Sequence, residues 1–329
     1  MAKLVLGIGA SHSPMINSTL EEWVEMMPRE EGMKMLDRDG KPASYDALVA
    51  QAAGRYDTHL RPEKLTEHYV AIQSALDQLA STIREARLDA LIVIGDDQRE
   101  LFLDDNLPGM LVYCGDSIKN KKRSPKKEWI DWFAKVHARY YVPDSPAAFS
   151  VDQNLALHVI KELIEDGVDL SISKHLPRDE GEGHAIAFVH QRLFGFSDMV
   201  PIVPFFINTY FPPNQPTPRR CFEVGQALRR AVESYPSDMR VGVLASGGLS
   251  HFSIDEELDQ QALAAICAHD VEAIAAVPRN KLNSGNSEIR NWFAMSGATA
   301  HLTRQSLAYI PAYRSPAGTG TGMCFAAWA

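Results

Sequence analysis

The chain has 329 residues, 45% hydrophobic and 23% charged, with a formal net charge of −9, the balance of a globular protein long enough to bury a sizeable core. The acidic charge excludes general affinity for nucleic acid, which needs a basic face, and no apolar run approaches the ~20 residues that cross a bilayer. Four scattered cysteines, Cys114, Cys221, Cys267 and Cys324, fit reduced thiols in a cytoplasmic protein and make no zinc spacing.

The start, "MAKLVLGIGASHSP", lacks the layout of a signal peptide. Its apolar run "KLVLGIG" (3–9) reads as a strand and gives way at once to Ser11-His12-Ser13-Pro14. Residues 15–88 form an irregular helical excursion. Over 15–65 the signals are mixed, and a stretch of this length usually serves as a lid. Within 66–86, Tyr69, Ile72, Leu76, Leu79 and Ile83 fall at helical steps and make one apolar stripe.

The next strand, "DALIVIG" (89–95), is followed by Asp96-Asp97-Gln98-Arg99-Glu100. "GMLVYC" (109–114) is a third strand, and the basic run "KNKKRSPKK" (119–127) reads as a solvated loop. A helix over 154–167 ends in a glycine suited to that terminus. Then come a strand at 168–173, a Gly-flanked His184 in "HLPRDEGEGHAIAF", and a strand at 200–208 that leads into Thr209-Tyr210. A helix at 219–236 precedes the strand "RVGVLAS" (240–246), which opens into "GGLSHF" and His251. Helical patterns at 255–278 and 287–305 and a last strand at 322–328 complete the set.

Runs that are apolar at nearly every position suit strands covered on both faces. The alternation therefore predicts an α/β fold: a mixed central sheet with helices on both faces, the active site at the strand carboxyl ends, and a single domain over 1–329. Residue types alone leave the pocket open. His12, His184 and His251 are either loop residues bonded to nearby backbone or parts of a metal or acid–base site. Asp96 and Asp97 either cap the next turn or serve chemistry, and Glu288 either offsets a helix dipole or does the same.

Taken together, "GIGASHSP", "IVIGDDQRELF", "DEGEGHAIAF", "VPFFINTYFPPNQPTPRRCFEVGQALRRAVES", "ASGGLSHF" and "SEIRNWFAMSGA" resemble the class III extradiol ring-cleavage dioxygenases. The nearest type is the catalytic subunit of protocatechuate 4,5-dioxygenase, with its gallate and 3-O-methylgallate relatives. The resemblance runs from residue 3 to about 325 and leaves 15–88 unaccounted for. It implies one non-haem Fe(II) held by two histidines and a carboxylate, with positions left for a catecholate and O₂ as co-substrate. It implies His12 and Glu288 as metal ligands, His251 as the acid–base group and His184 as a pocket histidine that contacts substrate. It further implies a small aromatic partner, a homo-oligomer, and a small companion subunit as an option.

One position departs from the pattern. Where the resemblance calls for the second metal histidine, the turn carries Gln98. Three outcomes follow: recruitment of His59 (ahead of His68) from the excursion, a role for Gln98 as ligand or substrate contact, or loss of the metal. The expected metal set is therefore His12, His59 and Glu288, with Tyr210 and Gln98 toward the substrate. Arg219 and Arg220 are expected in a solvated role at their helix start. The competing functions are a metal-dependent hydrolase and a metal-free binding protein on the same scaffold.

Overall fold

The computed structural model describes residues 1–26, 35–127, 129–143, 146–197 and 199–329. Among the described residues the strands are β1 (Lys3–Ala10), β2 (Met35–Leu36), β3 (Pro42–Ala43), β4 (Ala90–Gly95), β5 (Met110–Tyr113), β6 (Ser117–Asn120), β7 (Ala147–Ser150), β8 (Ser171–Ser173), β9 (Ile202–Ile207), β10 (Arg240–Ser246), β11 (Arg304–Tyr313) and β12 (Gly320–Trp328). Eight of them form the central sheet in the order β11-β12-β1-β10-β4-β9-β5-β8. Its middle, β1-β10-β4-β9, is parallel. β12 runs antiparallel to β1, and β5 antiparallel to β9. The fold is thus the expected mixed α/β sheet.

Alternation along the buried strands divides the core into two layers. Ala90, Ile92 and Ile94 of β4 face one apolar cluster, and Leu91 and Val93 face the other. Helices Gln153–Glu165, Pro218–Glu233 and Ile289–Ala298 cover the first face, and Pro62–Glu85 and Asp131–Ala138 cover the second. The helix Pro62–Glu85 is regular for 24 residues, so the later part of the 15–88 excursion is ordinary sheet-covering structure. Its earlier part is short 3₁₀ turns, the β2–β3 pair and the helix Tyr45–Ala52; residues 27–34 lie outside the described residues. The helix expected over 255–278 is broken after Ala268, where His269 turns left-handed (φ 50°). The helix expected over 287–305 stops at Ala298, and β11 follows as a sheet-edge strand.

Helices Pro218–Glu233 and Ile289–Ala298 pack against each other through glycine. A methyl group at Gly225 would overlap the Ala294 carbonyl oxygen, and one at Gly297 would overlap that of Phe222. This close approach fixes the helix that Glu288 precedes. Gly225→Ala should therefore destabilise the fold by roughly 1–3 kcal/mol, against the ~1 kcal/mol gain in helix propensity. Urea unfolding measures the difference, and a net stabilisation would show that the two helices separate freely.

Candidate metal and catalytic site

The four parallel strands end on the same side of the sheet, and each delivers a polar group there: His12 after β1, Asp96 after β4, Tyr210 after β9, and Ser246 with the His251 loop at and after β10. Ser11 pins the end of β1. Its amide donates to the Cys324 carbonyl, and its hydroxyl accepts from the Cys324 amide at 2.8 Å. His12 is thereby turned inward and buried.

The hydrogen bonds fix its tautomer. The Ser246 hydroxyl donates its one proton to the Ala185 carbonyl at 2.7 Å, so toward His12 Nδ1, 2.9 Å away, it accepts. Nδ1 therefore carries the proton and Nε2 the lone pair. Nε2 is buried without a hydrogen-bond partner. Burial, reinforced by His184, lowers the His12 pKa to about 3, so the ring is a neutral donor of the kind a metal requires.

Glu288 is equally buried. Its Oε2 accepts from the Gly248 amide at 2.7 Å, and its Oε1 from Gln98 Nε2 at 3.0 Å. His251 Nε2 lies 3.3 Å from the same Oε1. Asp96 is buried beside this carboxylate, with Oδ2 unpartnered. Burial and the Glu288 charge push its pKa up to about 8. His12, Asp96 and Glu288 each present one ligand atom within 4.8 Å of the others.

The His251 ring is anchored through Nδ1 to the Leu249 carbonyl at 2.9 Å, and its backbone amide donates to Asn286 Oδ1 at 2.7 Å. Burial acts against its charge, but Glu288 outweighs it and the pKa is raised. Below this loop, buried Asp259 receives the Ser250 amide and hydroxyl and the Tyr309 hydroxyl, each at 2.7 Å.

His184 enters from the other side. Its ring meets His12 edge-on at 4.8 Å between centroids, and Nδ1 is 2.7 Å from Glu100 Oε2. Burial opposes protonation, yet the Glu100 charge and hydrogen bond raise the pKa to about 9, so His184 is a cation at neutral pH. Because the folded value exceeds the usual ~6.5, the pair's contribution to stability is complete below pH ~6.5. It fades as pH rises through about 9. In metal-free protein, the His184 ring proton should titrate near pH 9 by NMR. In Glu100→Gln it should titrate well below that, and an unchanged midpoint would refute Glu100 as the cause.

His12, Glu100, His184, His251 and Glu288 line one cavity of about 230 Å³ with Tyr210, Gln98, Trp129, Phe133, Tyr140 and Arg314. Of the expected site residues, His12, His184, Gln98, Tyr210, His251 and Glu288 are therefore brought together. His59 is not. It sits on the 3₁₀ turn Asp57–Leu60, against Tyr313 at 4.7 Å and His68 at 6.1 Å between centroids, and is absent from the cavity lining. Packing of the excursion on Tyr313 holds it away. Arg219 pairs with Glu272, and Arg220 bonds the Gly167 carbonyl, in keeping with a role at the helix start.

Several site residues carried no clear signal in the sequence. Lys126, from the run read as a solvated loop, lines the cavity, and Arg123 of the same run is buried 3.6 Å from Glu100 Oε1. His137 lies 3.5 Å from Glu100. The Tyr140 hydroxyl is buried without a partner. The best available signal was Glu100 itself, four residues beyond Asp96, since a buried acid needs basic neighbours.

Imidazoles and carboxylates gathered at the carboxyl ends of an α/β sheet, around an aromatic-walled cavity, are the build of an enzyme pocket. The family described as the catalytic LigB subunit of aromatic ring-opening dioxygenase matches residues 59–312, and the chain belongs to that family. His12 lies ahead of the matched residues. The chain is also similar to gallate dioxygenase of Pseudomonas putida, 39% identical over 97 residues, covering 30% of this chain and 28% of that protein. It is similar to the 2,3-dihydroxyphenylpropionate/2,3-dihydroxicinnamic acid 1,2-dioxygenase of Azotobacter vinelandii, 33% identical over 106 residues and 32% of each chain. The enzyme of that name from Photorhabdus laumondii is 26% identical over 190 residues, 58% of this chain and 51% of the other. The alignments thus span about a third of the first two relatives and half of the third.

Proposed function

We propose that the protein opens the ring of a catechol-type compound with O₂, cleaving outside the two hydroxyls, with a non-haem divalent iron at His12 and Glu288. The observation that carries this reading is the buried, unpartnered His12 Nε2 beside the Glu288 carboxylate: a neutral nitrogen and an anionic oxygen aimed at one point fit a divalent ion. When bound, the metal supplies a shared site on which electron density passes from catecholate to O₂.

The protein's own groups do the rest. His251 Nε2 faces the cavity while Nδ1 is tied to the Leu249 carbonyl, so proton transfer with a ring hydroxyl runs through Nε2. His184, held cationic by Glu100, stabilises negative charge on an oxygen of the substrate or of O₂. Trp129, Phe133 and Tyr210 give planar surface for a ring, and the Tyr140 hydroxyl is placed to donate a hydrogen bond. A cavity of about 230 Å³ is below the ~300–1,000 Å³ of drug-sized sites and suits a single-ring molecule. Lys126 and Arg314 at its wall favour a ring bearing a carboxylate. Among the described residues, no helix is long and apolar enough to cross a membrane.

The test is oxygen uptake by iron-loaded protein with a panel of catechols, carboxylated and not. Stoichiometric O₂ consumption with a ring-opened product from a carboxylated catechol is expected. Metal binding without O₂ uptake on any catechol would overturn the reading in favour of a hydrolase, and absence of metal binding would favour a binding protein.

A further inference from the structure

We propose that Asp96 stands in for the second imidazole, so that the metal is held by His12 Nε2, Asp96 Oδ2 and a Glu288 oxygen, one nitrogen and two carboxylates; this assignment rests on the metal-dependent reading above. The other candidates, Asp97 and Gln98 in the turn after β4 and His59 in the Asp57–Leu60 turn, are held by other contacts. Asp97 receives the Leu101 and Phe102 amides through its two oxygens at 2.9 and 3.0 Å. Gln98 donates its amide to Glu288. His59 is held on Tyr313.

Asp96 alone in the turn after β4 keeps a buried oxygen, Oδ2, without a partner, and Asp96 offers a carboxylate oxygen to the same cluster as His12 and Glu288. Its orientation is supported from behind. Asn291 Nδ2 reaches Asp96 Oδ1 at 3.5 Å and the Ser246 carbonyl at 3.0 Å, so one amide spans Asp96 and the strand whose hydroxyl fixes His12. Such outer partners orient ligands. Two adjacent buried carboxylates are costly unless a cation joins them. A divalent ion supplies such a charge between them. An oxygen-rich set with one imidazole suits Fe(II) or Mn(II).

The experiment uses chelator-stripped full-length protein titrated with Mn(II) alone, read by binding isotherm and electron spin-echo spectroscopy. One directly coordinated imidazole nitrogen is expected in the parent protein, and none in His12→Ala. Asp96→Asn, which keeps the side-chain shape, should weaken Mn(II) binding at least about tenfold, whereas His59→Ala should stay within about twofold. Two nitrogen couplings, parent-like binding by Asp96→Asn, or strong weakening by His59→Ala would each overturn the assignment. The nitrogen count needs no variant to fold. Ring opening is not read, so the outcomes separate cleanly: the expected coordination without catechol cleavage refutes the proposed function alone, and cleavage at a two-imidazole site refutes this ligand set alone.

Discussion

His12→Ala should yield a folded protein that no longer retains metal and opens catechol rings roughly 10³-fold more slowly or worse. Three features set the size of this effect. The lost atom is the one imidazole nitrogen in the Asp96–Glu288 cluster. The His184 and His251 rings are anchored through Nδ1, to Glu100 and to the Leu249 carbonyl, which holds them in their own places rather than in the vacated one. A bound metal contributes several kcal/mol to the transition state, and each ~1.4 kcal/mol is a factor of ten. The fold should survive, since Ser11 rather than His12 ties β1 to β12. Metal content after dialysis and a thermal melt check both halves. Ser246→Ala is the graded companion. It removes only the acceptor that holds Nδ1–H, and should cost about 10–100-fold in metal affinity. Stoichiometric metal in His12→Ala would remove β1 from the site.

How far the sequence led depended on whether a signal was local. Strands β1, β4, β9 and β10 were readable because burial on both faces makes them apolar throughout, and the groups at their carboxyl ends could be collected for the same reason. β11 was hidden by Pro311 and by polar residues at its start. Both are tolerable because this strand lies at the sheet edge, where a missing N–H and a wetted face cost little. Asp96 and Asp97 are indistinguishable as letters. Only the path of the turn shows that Asp97 caps it while Asp96 faces the cluster. His59 was a reasonable recruit by type. Its place is set by contacts with Tyr313, some 250 residues away in the chain, and no local pattern encodes such a contact. Lys126 and Arg123 looked like solvent-facing charge for the same reason. The Arg123 side chain is shielded beside Glu100, which arrives from another strand end, while Lys126 stays exposed and only borders the cavity.

His251→Phe should retain metal and bind catechol, yet lose turnover by about 10²–10⁴-fold. The imidazole is anchored on one edge by Leu249 and its backbone by Asn286, and it is closely backed by Gly285, where any side chain would collide with the ring. What remains mobile is the proton on Nε2, which faces Glu288 and the cavity. Phenylalanine keeps a ring at this position and removes the Nε2 proton together with the Nδ1 bond to Leu249, while the backbone bond to Asn286 remains. The loss should therefore fall on kcat, with KM changed by no more than a few-fold and metal content unchanged. His251→Gln restores a hydrogen-bonding group that cannot exchange protons near neutral pH. It separates two roles: recovery of rate in His251→Gln would make His251 a substrate-positioning group, whereas an equally slow variant leaves proton transfer at Nε2 as its function.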